Sequence, residues 1–114
     1  MKLFLFLFFL PLAVQVKAGS NESSPTTYVS IIYTYESYFV VEVENDVIPN
    51  PAGCSSSKAN KRIKMHRDST TDHIYSTLLA AKLAGTPVAF GVSGSECYNW
   101  GGGTIPVMYR IDVR

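Results

Sequence analysis

The chain has 114 residues, 46% of them hydrophobic and 17% charged, with a formal net charge of +1. That length holds one domain at most, and the apolar and aromatic content excludes a disordered chain. So small a charge argues against a nucleic-acid binder held by bulk electrostatics.

Met1-Lys2 is a short basic start, and Leu3 to Val14 is an almost unbroken apolar run. Val16-Lys17-Ala18 then puts small or apolar residues at the −3 and −1 positions of a cleavage site. Residues 1–18 therefore read as a signal peptide. A membrane anchor would need about 20 apolar residues, and this run is shorter. The expected mature chain has 96 residues, with eight basic side chains against nine acidic ones, a net charge of −1. Its expected location is secreted or periplasmic, with no membrane anchor after cleavage. A domain this small buries only roughly two thirds of its unfolded surface, so a covalent staple would help. Cys54 and Cys97 are the only cysteines, and an even count in an exported protein argues for a disulfide between them.

Gly19 to Thr27 is polar and proline-containing, which predicts a flexible N-terminal segment ahead of a single domain over 28–114. Asn21-Glu22-Ser23 matches a glycosylation sequon, a pattern common by chance. Tyr28 to Glu44 alternates β-branched and aromatic residues with wetter ones, predicting two strands separated near Glu36-Ser37; the break lacks an Asn-Gly signal, so one long bent strand is the alternative. Asn45 to Asn60 reads as a loop carrying Cys54. Lys61 to Arg67 predicts a third strand, with Ile63 and Met65 on one face and Arg62, Lys64 and His66 on the other.

A helix is predicted from about Thr71 to Ala84. Ile74, Leu78 and Ala81 form its apolar stripe, widened by Tyr75, Leu79 and Leu83, and Gly85 stops it. Val88, Phe90 and Val92 mark a fourth strand. Ser93 to Gly103 reads as a loop. Ile105 to Val113 alternates as a fifth strand. The fold class is mainly β with one helix between strands three and four: a five-stranded OB-fold-like barrel or strongly curved sheet. A two- or three-layer α+β sheet is the competing architecture.

Two stretches resemble known proteins. Tyr75-Ser76-Thr77-Leu78-Leu79, followed by Gly85-Thr86-Pro87-Val88, resembles the helix and strand in B subunits of subtilase cytotoxin and other pertussis-like toxins. The run from Asp68 to Ala81 is similar to a D-S-T-x-D-x-x-Y-S-x-L-L-A-A helix in small exported bacterial proteins of unknown function. The toxin resemblance implies an OB barrel that assembles into a homo-oligomeric ring of five and binds cell-surface glycans. No first-strand position matches the sialic-acid contacts of those subunits, so none is carried over.

Chemical motifs are sparse. Gly91-Val92-Ser93-Gly94-Ser95 lacks the last glycine and the strand-to-helix turn of a nucleophile elbow. His66 and His73 with two oxidised cysteines do not make a zinc set. Glu42 and Glu44 lie about 7 Å apart at Cα and read as an outer face pairing with Lys61, Arg62, Lys64 and Arg67. Gly101-Gly102-Gly103 has no phosphate-loop lysine after it. Neither an enzyme, a cofactor, a metal nor a nucleic-acid partner is expected.

The candidate ligand-binding residues are Tyr98, Asn99 and Trp100. An indole suits the C–H face of a pyranose, and an amide reads hydroxyls as donor and acceptor. Cys97, bonded to Cys54, would steady that loop. The alternative role for Trp100 is to cap one end of the barrel. At the level of function, the alternative to a glycan-binding module is a secreted protein–protein interaction subunit or inhibitor. It draws on Tyr28, Tyr33, Tyr35 and Tyr38 as interface-type residues.

Overall fold

Alternating side chains on the strands set the architecture. The computed structural model describes residues 19–114; the expected signal peptide lies outside them. In chain order the elements are β1 (Glu22–Ser23), β2 (Val29–Thr34), β3 (Tyr38–Val43), β4 (Arg62–His66), α1 (Asp72–Ala84), β5 (Val88–Trp100) and β6 (Gly103–Val113). They form one six-stranded sheet in the order β1-β5-β6-β4-β3-β2. Every neighbouring pair is antiparallel except β4 with β6, which run parallel. The connection between those two strands runs through α1 and β5, longer than the dozen residues that a parallel pairing requires.

Period-two alternation buries one face. Phe39 pairs with Met65 and Val41 with Ile63 across β3 and β4. All four join the core, together with Val43, Val88, Phe90, Val92 and Met108. From α1, Ile74, Leu78 and Ala81 close over them at i, i+4 and i+7. Tyr75 adds an edge-to-face contact with Phe39 at 5.2 Å between centroids. The helical stripe is narrower than its apolar pattern: Leu79 is exposed and Leu83 is 88% exposed. The helix ends where expected, at Gly85 in the left-handed region (φ 66°), whose N–H donates to the Ala81 and Lys82 carbonyls.

Three expectations are corrected. First, the described strands number six and the ladder is not closed into a barrel. Second, the 19–27 segment is not a free lead-in. Ser24 N–H donates to the Phe90 carbonyl, Ser24 Oγ accepts from Phe90 N–H, and Thr27 exchanges both backbone bonds with Val88. Buried backbone groups need such partners, and the edge of β5 supplies them. Third, the Ser93–Gly103 stretch is not a loop but the outer half of a long hairpin.

That hairpin turns at Gly101-Gly102, both at positive φ (66° and 89°), the backbone that a two-residue hairpin turn with matching twist demands. Its register is irregular. Val92 faces Met108 and Cys97 faces Pro106, so β5 advances five residues while β6 advances two. The surplus is a bulge at 93–96, where Ser, Gly and Glu mimic loop composition, and bulges bend the strand that carries them. Gly94 fits there because a Cβ would run into the Gly19 carbonyl and Ser20, and its N–H donates to Asn21 Oδ1.

Candidate functional site

The face of β3 and β4 opposite the core carries the chemistry. Tyr38, Val40 and Glu42 alternate away from Phe39 and Val41, and Arg62, Lys64 and His66 away from Ile63 and Met65. Register aligns Tyr38 with His66, Val40 with Lys64 and Glu42 with Arg62. One row crosses four strands: Tyr33, Val40, Lys64 and Val107. Val40, with no exposed surface, is its apolar floor.

The outer half of the hairpin brings two more rings to this face. Tyr98 lies 5.1 Å from Tyr38, which stacks on Tyr35 at 4.5 Å. Trp100 meets Tyr33 edge-on at 5.0 Å. Two cations sit against them: Lys64 Nζ is 4.3 Å from the centre of the Tyr98 ring, and the Arg62 guanidinium is 5.1 Å from that of Trp100. Such pairs contribute roughly 0.5–2 kcal/mol as they lose water. Arg62 Nε also donates to Glu42 Oε1 at 2.7 Å, and Tyr33 hydroxyl donates to the same oxygen at 3.5 Å. The result is a shelf of five rings, with Tyr33, Tyr38, Tyr98 and Trp100 half-buried and Tyr35 exposed.

The shelf has a rigid footing. Cys97, next to Tyr98, is bonded to Cys54. Asn50 clamps Cys54 from both sides, accepting from its N–H at 2.7 Å and donating to its carbonyl at 2.9 Å. Ser55 N–H donates to Thr104 Oγ1, Thr104 N–H donates to Ser55 Oγ, and Ser56 N–H donates to the Thr104 carbonyl. The two hydroxyls of Ser55 and Thr104 also hydrogen-bond at 3.1 Å, so the loop before β4 and the hairpin end are joined by the disulfide and by four hydrogen bonds to Thr104.

Desolvation lowers the Lys64 ammonium from its ordinary value, partly offset by the charge of Glu96. Desolvation first, then the neighbouring Tyr98 and Tyr35, raises the Tyr38 phenol. The Lys64 shift accords with its half-buried place among the rings.

The three sequence-derived candidates do not converge on one point. Tyr98 and Trp100 share the shelf, while Asn99 alternates away from them and is exposed. Trp100 neither stands free nor plugs the core; it leans on Tyr33 and Arg62. Tyr33, Tyr38, Arg62 and Lys64 were visible only as interface-type tyrosines and a basic outer face. Their common signal was parity: each sits one position off the core-facing set.

The other motifs are placed as follows. Gly91 to Ser95 lies inside β5 and enters no helix. His66 is exposed and within 3.4 Å of Asp68, and His73 is exposed in the first turn of α1. Glu42 is bound to Arg62, and Glu44 lies just past β3. Among the described residues there is no enclosed pocket, no group of three or more metal-ligating side chains, and no helix long and apolar enough to cross a membrane. Comparison with protein-family models, curated proteins and solved structures finds no match for this chain.

Proposed function

We propose that this chain is an exported, non-enzymatic binding module that recognises a glycan on its aromatic shelf. The observation that carries the reading is the grouping of Tyr33, Tyr35, Tyr38, Tyr98 and Trp100 on one face, interleaved with Arg62, Lys64 and Glu42. Aromatic faces pack on sugar C–H groups, and fixed charged groups hydrogen-bond to hydroxyls. The disulfide suits an oxidising compartment.

The topology supports an OB-like assignment as part of the same proposal. Taking β2, β3, β4, β5 and β6 as strands one to five, α1 falls between the third and fourth. An OB-fold binds oligosaccharides or oligonucleotides on its strand 2–3 face and on the loops joining strands 1–2 and 4–5. Tyr38, Arg62 and Lys64 lie on that face, Tyr35 at the first connection, and Tyr98 and Trp100 beside the second. In addition, residues 22–34 serve both sheet edges, with β1 and Thr27 on β5 and β2 on β3. A toxin-B-subunit-like role is consistent with this arrangement.

The test is a glycan array with the exported, disulfide-bonded protein, followed by titration of Trp100 fluorescence with each hit. The expected result is saturable binding to a saccharide, lost at least tenfold in Trp100→Ala and Tyr98→Ala proteins that retain their circular dichroism. An array without signal, together with capture of a specific secreted protein, would move the role to a protein-interaction subunit.

A further inference from the structure

The shelf holds two cations in different states. Arg62 is neutralised by Glu42 at 2.7 Å. Lys64, at the centre of the four-strand row, has no carboxylate within 4 Å among the described residues; Glu96 acts on it only from farther away. Its ammonium lies against Tyr98 in a partly dehydrated setting. A lone ammonium in such a place gains strongly from an anionic partner, because a charge-assisted hydrogen bond is roughly twice as strong as a neutral one.

Geometry fixes the scale. Tyr98 and Trp100 are two positions apart on one strand, so their Cα atoms stand about 7 Å apart, a separation suited to adjacent rings of a sugar chain. Each has its own tyrosine partner, Tyr38 and Tyr33. No pocket encloses a single ring among the described residues, so affinity must come from length along an open surface.

Resting on the glycan reading above, we propose that the shelf takes an acidic oligosaccharide, at least two rings long and in extended form. One ring lies on Trp100 and Tyr33, the next on Tyr98 and Tyr38, and a carboxylate or sulfate of the chain meets Lys64. A cationic ligand is disfavoured by repulsion from Lys64, whose charge no carboxylate within 4 Å offsets among the described residues. A nucleic acid brings a charge at every phosphate and needs several unpaired cations to meet them. The shelf offers one, on a described chain of net charge −1. Sparse charge on a sugar chain matches that supply.

The experiment is calorimetric titration of the disulfide-bonded protein with oligogalacturonates of one to four rings, free and methyl-esterified, alongside alginate and sulfated-galactan oligomers and dT12. The expected result is at least a tenfold gain from one ring to two or three, and a tenfold preference for an acidic chain over its neutral counterpart. Lys64→Met should erase that preference while keeping neutral binding, and Lys64→Arg should restore it. Equal binding of acidic and neutral chains, or a preference unchanged in Lys64→Met, overturns the role of Lys64 and leaves the glycan reading standing. A single ring binding as tightly as four overturns the two-ring geometry. Binding of dT12 with no saccharide bound overturns both readings, as does silence across the whole panel.

Discussion

Replacing Cys54 and Cys97 together with serine removes the covalent tie between the loop before β4 and the hairpin. The two residues are 43 apart in sequence, and closing a loop of that size contributes about 4 kcal/mol in the chain-entropy model. A domain of this size has about 5–15 kcal/mol in total, so the loss is a large fraction. At roughly 4–8 °C per kcal/mol, the melting temperature should fall by about 15 °C or more. The hydrogen bonds linking Ser55 and Ser56 to Thr104 contribute only about 1 kcal/mol each, remain in both proteins and do not replace the covalent tie. The loss should also be local. Amides of residues 97–106 should exchange faster relative to those of β3 and β4, and Trp100 emission should shift to longer wavelength as the indole leaves Tyr33. Thermal denaturation and amide exchange of the double variant measure this. A drop under about 5 °C, with unchanged protection of 97–106, would refute the claim that the bridge is what holds the shelf in place.

Three further outcomes follow from the packing and the charges. Leu78→Ala, at a fully buried helix position, should cost about 3 kcal/mol through lost transfer energy and a residual cavity; Leu83→Ala, 88% exposed, should change denaturant stability by less than about 0.5 kcal/mol. Ser24→Ala leaves the buried Phe90 N–H without its acceptor at 2.8 Å and should cost about 1–3 kcal/mol, read by chemical denaturation. Asp68 is held below its ordinary carboxylate value by the Thr70 hydroxyl and amide. A folded value below the unfolded one gives stability that is present above the ordinary value and lost as pH falls through the depressed one. Asp68→Asn should therefore lower the melting temperature at neutral pH and converge with the unsubstituted protein in acid, flattening the acid limb of the melting-temperature profile below about pH 4.

Much of the fold could be read from alternation. Phe39, Val41 and Val43, then Ile63 and Met65, declare their face without help, and Gly85 ends α1 as its lack of a Cβ predicts. The bulged half of β5 could not be read this way. Ser93 to Glu96 carries no apolar period because the bulge breaks pairing there, and composition alone cannot separate a bulge from a loop. The N-terminal segment was obscure for a related reason: β1 is two residues long and held by backbone bonds and a serine hydroxyl, which leave no hydrophobic pattern. Leu79 and Leu83 fit the helical stripe but face water, since helix period reports spacing and not how far the sheet extends beneath. At the site, Tyr98 and Trp100 were legible as aromatics two apart. Their meeting with Tyr33, Tyr38, Arg62 and Lys64 depends on how the hairpin bends, a long-range outcome that no local window contains.

The stretch from Asn21 to Thr27 also acts as a guard. It occupies backbone donors and acceptors along β5 that would otherwise lie open to any passing strand. A protease nick or a truncation there would leave most apolar packing intact while exposing a sticky margin. The shortened chain should then be prone to strand exchange and clumping at concentrations where the intact one stays dispersed.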